Sequence, residues 1–217
     1  MNNRLAILWS LLILVFAGQL HAAPARVLVM DQDGQPVPDA AVMIWPDAGT
    51  APAPKQASIA QQDYEFSPAT SIVSVGSNVA FPNRDTSRHH IYSFSPAKQF
   101  EIKLYVGLPE SPIRFDKPGV VTLGCNIHDW MYGVLYVTDA PVYGLTDQRG
   151  AVALEVPPDR TYRLEIWHPR LPEAHRIAAA AGETQHQIAL RLDPPVPRPA
   201  KPADPENSLI EFVRDRD

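Results

Sequence analysis

Short stretches in which apolar and polar residues alternate recur between residues 26 and 192. An alternation with a period of two is typical of half-buried β strands. Gly, Pro, Asn and Asp lie between these stretches and predict turns. We therefore predict strands at 26–30, 40–44, 71–75, 79–81, 89–94, 100–104, 119–124, 133–137, 152–154, 162–166 and 188–192. Strands this short, separated by turns, predict an all-β protein built as a sandwich or a Greek-key barrel.

Two regions lack the strand pattern. Residues 46–55 are rich in Pro, Ala and Gly, which predicts a linker. Residues 193–217 carry six prolines and many charges, so they cannot bury much apolar surface. We expect a Pro-rich disordered tail there, with at most a brief helical turn at 208–214.

The first 22 residues predict a secretory signal peptide. Arg4 supplies a positive charge, and residues 5–18 form an apolar run that is short for a membrane span. Cleavage is expected after Ala22, and an uncleaved anchor is the alternative. No later segment is apolar for long enough to cross a bilayer, so we expect a periplasmic protein with no stable membrane insertion after cleavage.

Composition argues against several classes of protein. The chain has 217 residues with 19 Lys and Arg against 24 Asp and Glu, which disfavours a nucleic-acid binder. Its 23 prolines disfavour a mostly helical fold.

A single cysteine, Cys125, cannot form a disulfide within the chain. In an exported protein such a thiol is exposed to oxidants, so it should be buried, paired between chains or bound to a metal.

Cys125 lies in a segment that carries other metal-binding side chains. Cys125, His128 and Met131 fall within seven residues between two predicted apolar strands, and His89 or His90 supplies a second imidazole. A thiolate, two imidazoles and a weak thioether suit copper. Zinc is the main alternative, although structural zinc usually takes Cys and His without Met. Each of these residues alone is more often a core or surface side chain, so the metal site is predicted by their combination.

The spacing Cys-x-x-His-x-x-Met resembles the ligand loop of cupredoxins, the type 1 blue-copper proteins such as plastocyanin and amicyanin. The run from Phe66 through Asp85 to His89 resembles the part of these proteins that precedes their first histidine ligand. Residues 115–119 resemble the turn before the cysteine strand, so the resemblance covers about residues 57–138. The chain after residue 22 is also similar to periplasmic proteins labelled methylamine utilization protein.

The resemblance implies one type 1 copper ion held by four side chains. They are His89, Cys125 and His128 as equatorial ligands and Met131 as the axial ligand. The fold that the resemblance implies is a cupredoxin-like Greek-key β sandwich.

The resemblance also assigns roles around the ion. His90 stands where relatives carry an asparagine, so it belongs to the surroundings of the ligands or is itself the alternative ligand. Asn126 replaces the usual Ser or Thr after the cysteine. In the family the ring edge of the second histidine reaches the surface and is the electron exit, which implies this role for His128. Trp130 and Ile127 would form a docking patch beside it, or Trp130 would simply be part of the core.

The flanking residues resemble a second family, the carboxypeptidase regulatory-like or transthyretin-like β sandwich. Residues 29–42 resemble its first half and residues 146–162 its second half. We therefore expect a small discontinuous sandwich, residues 23–50 and 140–192, with the cupredoxin-like domain, residues 51–139, inserted into one of its loops. This organisation requires Met30 and Val42 to share a sheet system with the strand at Val152.

The leading functional hypothesis is a periplasmic type 1 copper protein that transfers single electrons between redox partners, such as a cytochrome or a dehydrogenase. One alternative is a copper-binding or copper-delivery protein without an electron-transfer role, and another is a β interaction module without a metal. We do not expect an enzyme, because the sequence shows no nucleophile with a base, no phosphate loop and no telling pair of carboxylates.

Overall fold

The computed structural model describes residues 23–206, and every regular element in this range is a β strand. The all-β class predicted from the alternating pattern is therefore confirmed. The predicted signal peptide and the predicted helical turn at 208–214 lie outside the described residues. Within residues 23–206 there is no helix with the length and apolar character needed to span a membrane.

Seventeen strands follow one another along this range. In chain order they are β1 (Ala23–Asp31), β2 (Ala41–Pro46), β3 (Gln56–Ser58), β4 (Ala60–Gln62), β5 (Glu65–Ser67), β6 (Thr70–Ser74), β7 (Ser77–Ala80), β8 (His89–Ser95), β9 (Lys98–Tyr105), β10 (Ile113–Phe115), β11 (Gly119–Gly124), β12 (Tyr132–Thr138), β13 (Val142–Leu145), β14 (Ala151–Val156), β15 (Tyr162–Trp167), β16 (His175–Ala179) and β17 (Gln185–Leu190).

The first sandwich is built from strands at both ends of the described chain. One sheet has the order β14-β1-β17 and the other β13-β2-β15-β16. Strand β1 is antiparallel to β14, which places Val27 opposite Val152. Side chains of both sheets, among them Val42, Leu154 and Leu164, meet in one apolar core. The two ends of the chain thus share sheets and a core, as the predicted insertion requires; the division into separate domains stays a prediction.

The second sandwich is formed by the residues between these ends. Its larger sheet has the order β6-β12-β11-β8-β9, and its smaller sheet has the order β10-β7-β3. The two sheets and the β4–β5 hairpin pack around one core that includes Phe81, Phe115 and Leu123. Cys125 and Met131 belong to the same buried cluster, so the candidate ligand loop is packed into this core.

A third apolar cluster joins the two sandwiches. Ala41 and Met43 of β2 pack with Val134 and Tyr136 of β12. The ring of Tyr136 meets that of Trp167 edge to face, with 4.6 Å between the ring centroids. Because β12 has protein on both faces, every residue after its first is buried. This explains the unbroken apolar run of the strand that follows the ligand loop.

The segment 193–206 has no strand, but it contacts the second sandwich. The Arg198 guanidinium lies 3.3 Å from the centroid of the Tyr132 ring, and Lys201 Nζ donates to the Asp63 carbonyl oxygen. The disorder predicted for the tail stays a prediction; in residues 193–206 basic side chains between the prolines contact an aromatic ring and a carbonyl oxygen. Residues 207–217 lie outside the described residues.

Two Asp-x-x-Gly turns occupy matching places in the two halves of the first sandwich. The Oδ1 atoms of Asp31 and Asp147 each accept two backbone N–H groups, and the glycines Gly34 and Gly150 have left-handed φ values of 73° and 72°. Their surroundings differ. Gly34 faces open space, whereas a Cβ atom on Gly150 would lie 2.3 Å from the Val29 carbonyl oxygen. The second turn is therefore packed tightly against the first half of the chain.

Gly150→Ala is expected to destabilise the protein much more than Gly34→Ala. Both substitutions place alanine in left-handed backbone, which costs about 1–2 kcal/mol. Only Gly150→Ala forces a methyl group against the backbone of Val29, which adds about 1–3 kcal/mol. Urea unfolding followed by circular dichroism measures the two losses. Equal losses would contradict the packing of the two halves against each other.

Candidate metal centre

Three side chains from two separated segments meet in the second sandwich. His89 begins β8, Cys125 directly follows β11, and His128 lies in the loop between β11 and β12. Strand β11 pairs with both β8 and β12, which brings the two segments together. The three residues are buried, with relative exposures of 0%, 3% and 1%. They form the one group of three potential ligand residues found among residues 23–206.

The ligand atoms are spaced as a single small cation requires. His89 Nδ1 lies 3.0 Å from His128 Nδ1, and Cys125 Sγ lies 4.0 Å and 3.7 Å from these two nitrogens. Metal–nitrogen and metal–sulfur bonds are about 2.0–2.3 Å long, so ligand atoms around one ion stand about 3–4 Å apart. The donor set of one sulfur and two imidazole nitrogens therefore fits a transition-metal ion.

His89 is oriented by a carboxylate. Its Nε2–H donates to Asp85 Oδ2 at 2.7 Å, so Nδ1 keeps its lone pair for a metal. Such carboxylate–histidine pairs fix the tautomer and orientation of metal-binding histidines. Asp85 also accepts the backbone N–H groups of Asp63 and Tyr64, at 2.7 and 3.0 Å. Burial would raise the pKa of Asp85, but these hydrogen bonds and His89 hold it below its usual value.

The turn between β4 and β5 positions the groups that hold Asp85 and His89. Asp63 and Tyr64 both have left-handed backbone, with φ values of 54° and 58°, which is uncommon for residues other than glycine. The turn aims two N–H groups at Asp85 and places the Tyr64 ring edge-on to His89 and His128, with centroid distances of 5.4 and 5.1 Å. The sequence predicts neither role; Asp85 belongs there only to the run that resembles the segment before the first histidine ligand.

The Cys125 thiol is buried, and backbone N–H groups partly compensate a negative charge on its sulfur. Burial raises its pKa, while the backbone N–H groups of Ile127, His90 and His128 act to lower it. The net shift is upward, so the thiolate is disfavoured in the protein alone. A bound cation would remove this cost, because metal ligation deprotonates a thiol.

The expected exposure of the His128 ring edge is wrong. His128 is 1% exposed, and its Nε2 is buried without a hydrogen-bond partner in residues 23–206. The rings of Tyr64 and Trp130 lie against it, each with a centroid distance of 5.1 Å. Trp130 Nε1 donates to the Tyr64 carbonyl oxygen at 3.1 Å, which ties the ligand loop to the β4–β5 turn. Trp130 and Ile127 are half-buried and pack against the core.

The remaining predicted residues surround the cluster. Met131 is 2% exposed, and its N–H donates to the His128 carbonyl oxygen at 2.9 Å, so the predicted axial ligand stays beside the loop. His90 is turned away from the cluster, since successive strand residues face opposite sides, and its Nε2 lies 2.8 Å from Glu101 Oε1 on β9. His89 rather than His90 therefore joins the group. Asn126 is exposed next to Cys125.

Two histidines predict how the metal-free protein responds to acid. Burial, and then the neighbouring His89, lower the pKa of His128 to about 4 from 6.5. Between these two pH values the unfolded chain binds a proton that the folded protein does not, so stability falls as the pH falls, by about 3 kcal/mol in total. His168, whose pKa is also about 4 because of burial and then Arg170, contributes separately.

We expect His128→Gln and His168→Gln each to reduce the slope of the unfolding free energy against pH. Near pH 5 the reduction should correspond to about one bound proton. Urea unfolding of the metal-free proteins at several pH values between about 4.5 and 7 measures these slopes. A slope unchanged by His128→Gln would contradict a neutral, buried His128.

Comparison with known proteins finds similarity at the level of structure. No protein-family profile and no curated protein matches the chain. A copper-containing nitrite reductase from Thermus scotoductus is 25% identical over 43% of this chain and 25% of its own, with a TM-score of 0.36. A purple cupredoxin from Nitrosopumilus maritimus is 23% identical over 38% of this chain and 99% of its own, with a TM-score of 0.34. A pseudoazurin from Methylobacterium extorquens is 22% identical over 39% of this chain and 76% of its own, with a TM-score of 0.33. Solved structures similar to part of this chain thus include cupredoxins, the family that the ligand-loop spacing resembles.

Proposed function

We propose that this chain is an exported type 1 copper protein that carries single electrons between redox partners. The observation that carries the proposal is the buried group of one thiol and two imidazoles, whose ligand atoms lie 3.0–4.0 Å apart. In this proposal His89, Cys125 and His128 hold the ion and Met131 is a weak axial ligand. The predicted signal peptide supports a periplasmic location.

The donor set favours copper over zinc. Structural zinc sites use four strong Cys or His ligands, and residues 23–206 bring only three such groups together here. A thiolate and two imidazoles with a nearby thioether match the trigonal donor set of blue-copper sites. Copper also binds more tightly than zinc to a given set of nitrogen and sulfur ligands.

The support around the ligands favours electron transfer over copper delivery. Asp85 holds His89, and the hydrogen bond between Trp130 and Tyr64 fixes the ligand loop. A bound copper ion supplies a one-electron change between Cu(II) and Cu(I), and ligands held in place need little rearrangement when the charge changes. A delivery protein has to release its ion to a partner, whereas ligands that are buried and held by these contacts favour keeping the ion.

The same burial favours a carrier over an enzyme. The rings of Tyr64 and Trp130 cover His128, so a substrate has no direct approach to the ligands from that side. An electron needs no open channel. We propose that it leaves His128 through the half-buried Trp130, with Ile127 beside it at the surface that meets a cytochrome or a dehydrogenase.

Copper titration of the metal-free protein tests the proposal. The wild-type protein should bind one Cu(II) and develop an intense thiolate-to-copper absorption band that bleaches with a reductant and returns with an oxidant. Cys125→Ser and His89→Gln should lose the band. His175→Gln, which alters an exposed histidine of β16, should keep it.

Other outcomes separate the alternatives. A colourless complex of unchanged affinity would contradict electron transfer and support copper delivery. No copper uptake, together with unaltered stability in Cys125→Ser, would contradict both copper hypotheses and support an interaction module.

A further inference from the structure

The proline-rich segment after the first sandwich passes beside the ligand loop and the β4–β5 turn. Arg198 lies over the Tyr132 ring, one residue after the predicted axial ligand. Lys201 Nζ donates to the Asp63 carbonyl oxygen and lies 3.5 Å from Glu65 Oε1. The segment thus bridges the end of the ligand loop and the β4–β5 turn.

Residues 202–206 continue this segment, and the negative charges of Glu206 and Asp204 are among the causes that, after burial, raise the pKa of Tyr64. We call residues 198–206 the strap.

The strap forms one wall of a cleft that Cys125 also lines. The cleft has a volume of about 560 Å³ and is lined by Cys125, Asp129 and Met131 on one side and by Arg198 and Pro199 on another. A second cleft, of about 250 Å³, lies between the strap and the β4–β5 hairpin and is lined by Trp130 and Lys201. Both clefts are bounded by the strap.

The contacts that hold the strap suit reversible opening. A cation–π contact and an ion pair at the protein surface are weak, and salt screens the ion pair. The side chains of Lys201 and Glu65 are 35% and 65% exposed. The segment adds no strand to either sheet, so its release breaks no sheet hydrogen bond.

We propose that the strap gates access to Cys125. When it lies against Tyr132 and Asp63, small solutes reach the thiol slowly; when it lifts, the cleft beside Cys125 and Met131 opens. The gating of the thiol stands on these contacts alone. Its use in admitting the metal ion during loading rests on the proposed function.

Alkylation of the metal-free protein by iodoacetamide tests the gate without copper. Cys125 is the single cysteine of the chain, so the mass increase reports this thiol alone. We expect Arg198→Ala/Lys201→Ala, and a chain ending at Pro197, to react at least about fivefold faster than the wild-type protein. A matched control, Lys103→Ala/Arg191→Ala, removes the same charges from exposed positions away from the strap and should react at the wild-type rate.

Two further readouts make the result decisive. All variants should react at one rate in denaturant and should share one far-ultraviolet spectrum without it, so that a faster native reaction reports opening. Equal native rates in the strap variants, the control and the wild-type protein would overturn the gate.

The rate of copper uptake separates the gate from the proposed function. If strap variants alkylate faster and no protein develops the copper band, the gate stands and the proposed function fails. If every protein develops the band at the same rate and alkylates at the same rate, the proposed function stands and the gate fails.

Discussion

The structure depends on the burial of three polar ligand groups in an apolar core. Cys125 packs with Phe, Leu and Val side chains, and the Tyr64 ring lies against both His89 and His128. Burial disfavours the charged forms of Cys125 and His128. Buried polar groups are costly unless they have partners. The partners that are present, chiefly Asp85 on His89 and backbone N–H groups at the sulfur, leave both Nδ1 atoms and Sγ directed at one region. A cation in that region removes the remaining cost, which is why the cluster points to a metal.

The remaining architecture holds this cluster in place. Cys125 directly follows strand β11, and strand β12 begins shortly after His128. Strand β12 is covered on both faces because the first sandwich packs on its outer side. The loop between them is tied at Trp130 to the turn that also positions Asp85. The first sandwich thus supports the site indirectly, by fixing the strand that ends the ligand loop.

Local spacing carried most of the prediction of the site. Cys125, His128 and Met131 are close in sequence, so their meeting in one loop needed no knowledge of the fold. The choice of His89 over His90 follows from the face of the sheet on which each side chain of β8 lies, which the sequence pattern left open. Asp85 and Tyr64 could not be assigned, because their roles depend on a left-handed turn at Asp63 and Tyr64 formed without glycine.

The alternating pattern predicted the long strands, whereas the three-residue strands β3, β4, β5 and β10 are too short to show a period. The contacts of the strap could not be predicted from the sequence, because their partners lie more than 60 residues away along the chain.

X-ray absorption spectroscopy of the copper-loaded protein tests the central claim most directly. A copper ion bound by the cluster should show one short copper–sulfur bond and two copper–imidazole bonds, with the sulfur lost in Cys125→Ser. A spectrum with only nitrogen and oxygen neighbours, or one that Cys125→Ser leaves unchanged, would contradict the assignment of the buried Cys125, His89 and His128 as the copper ligands.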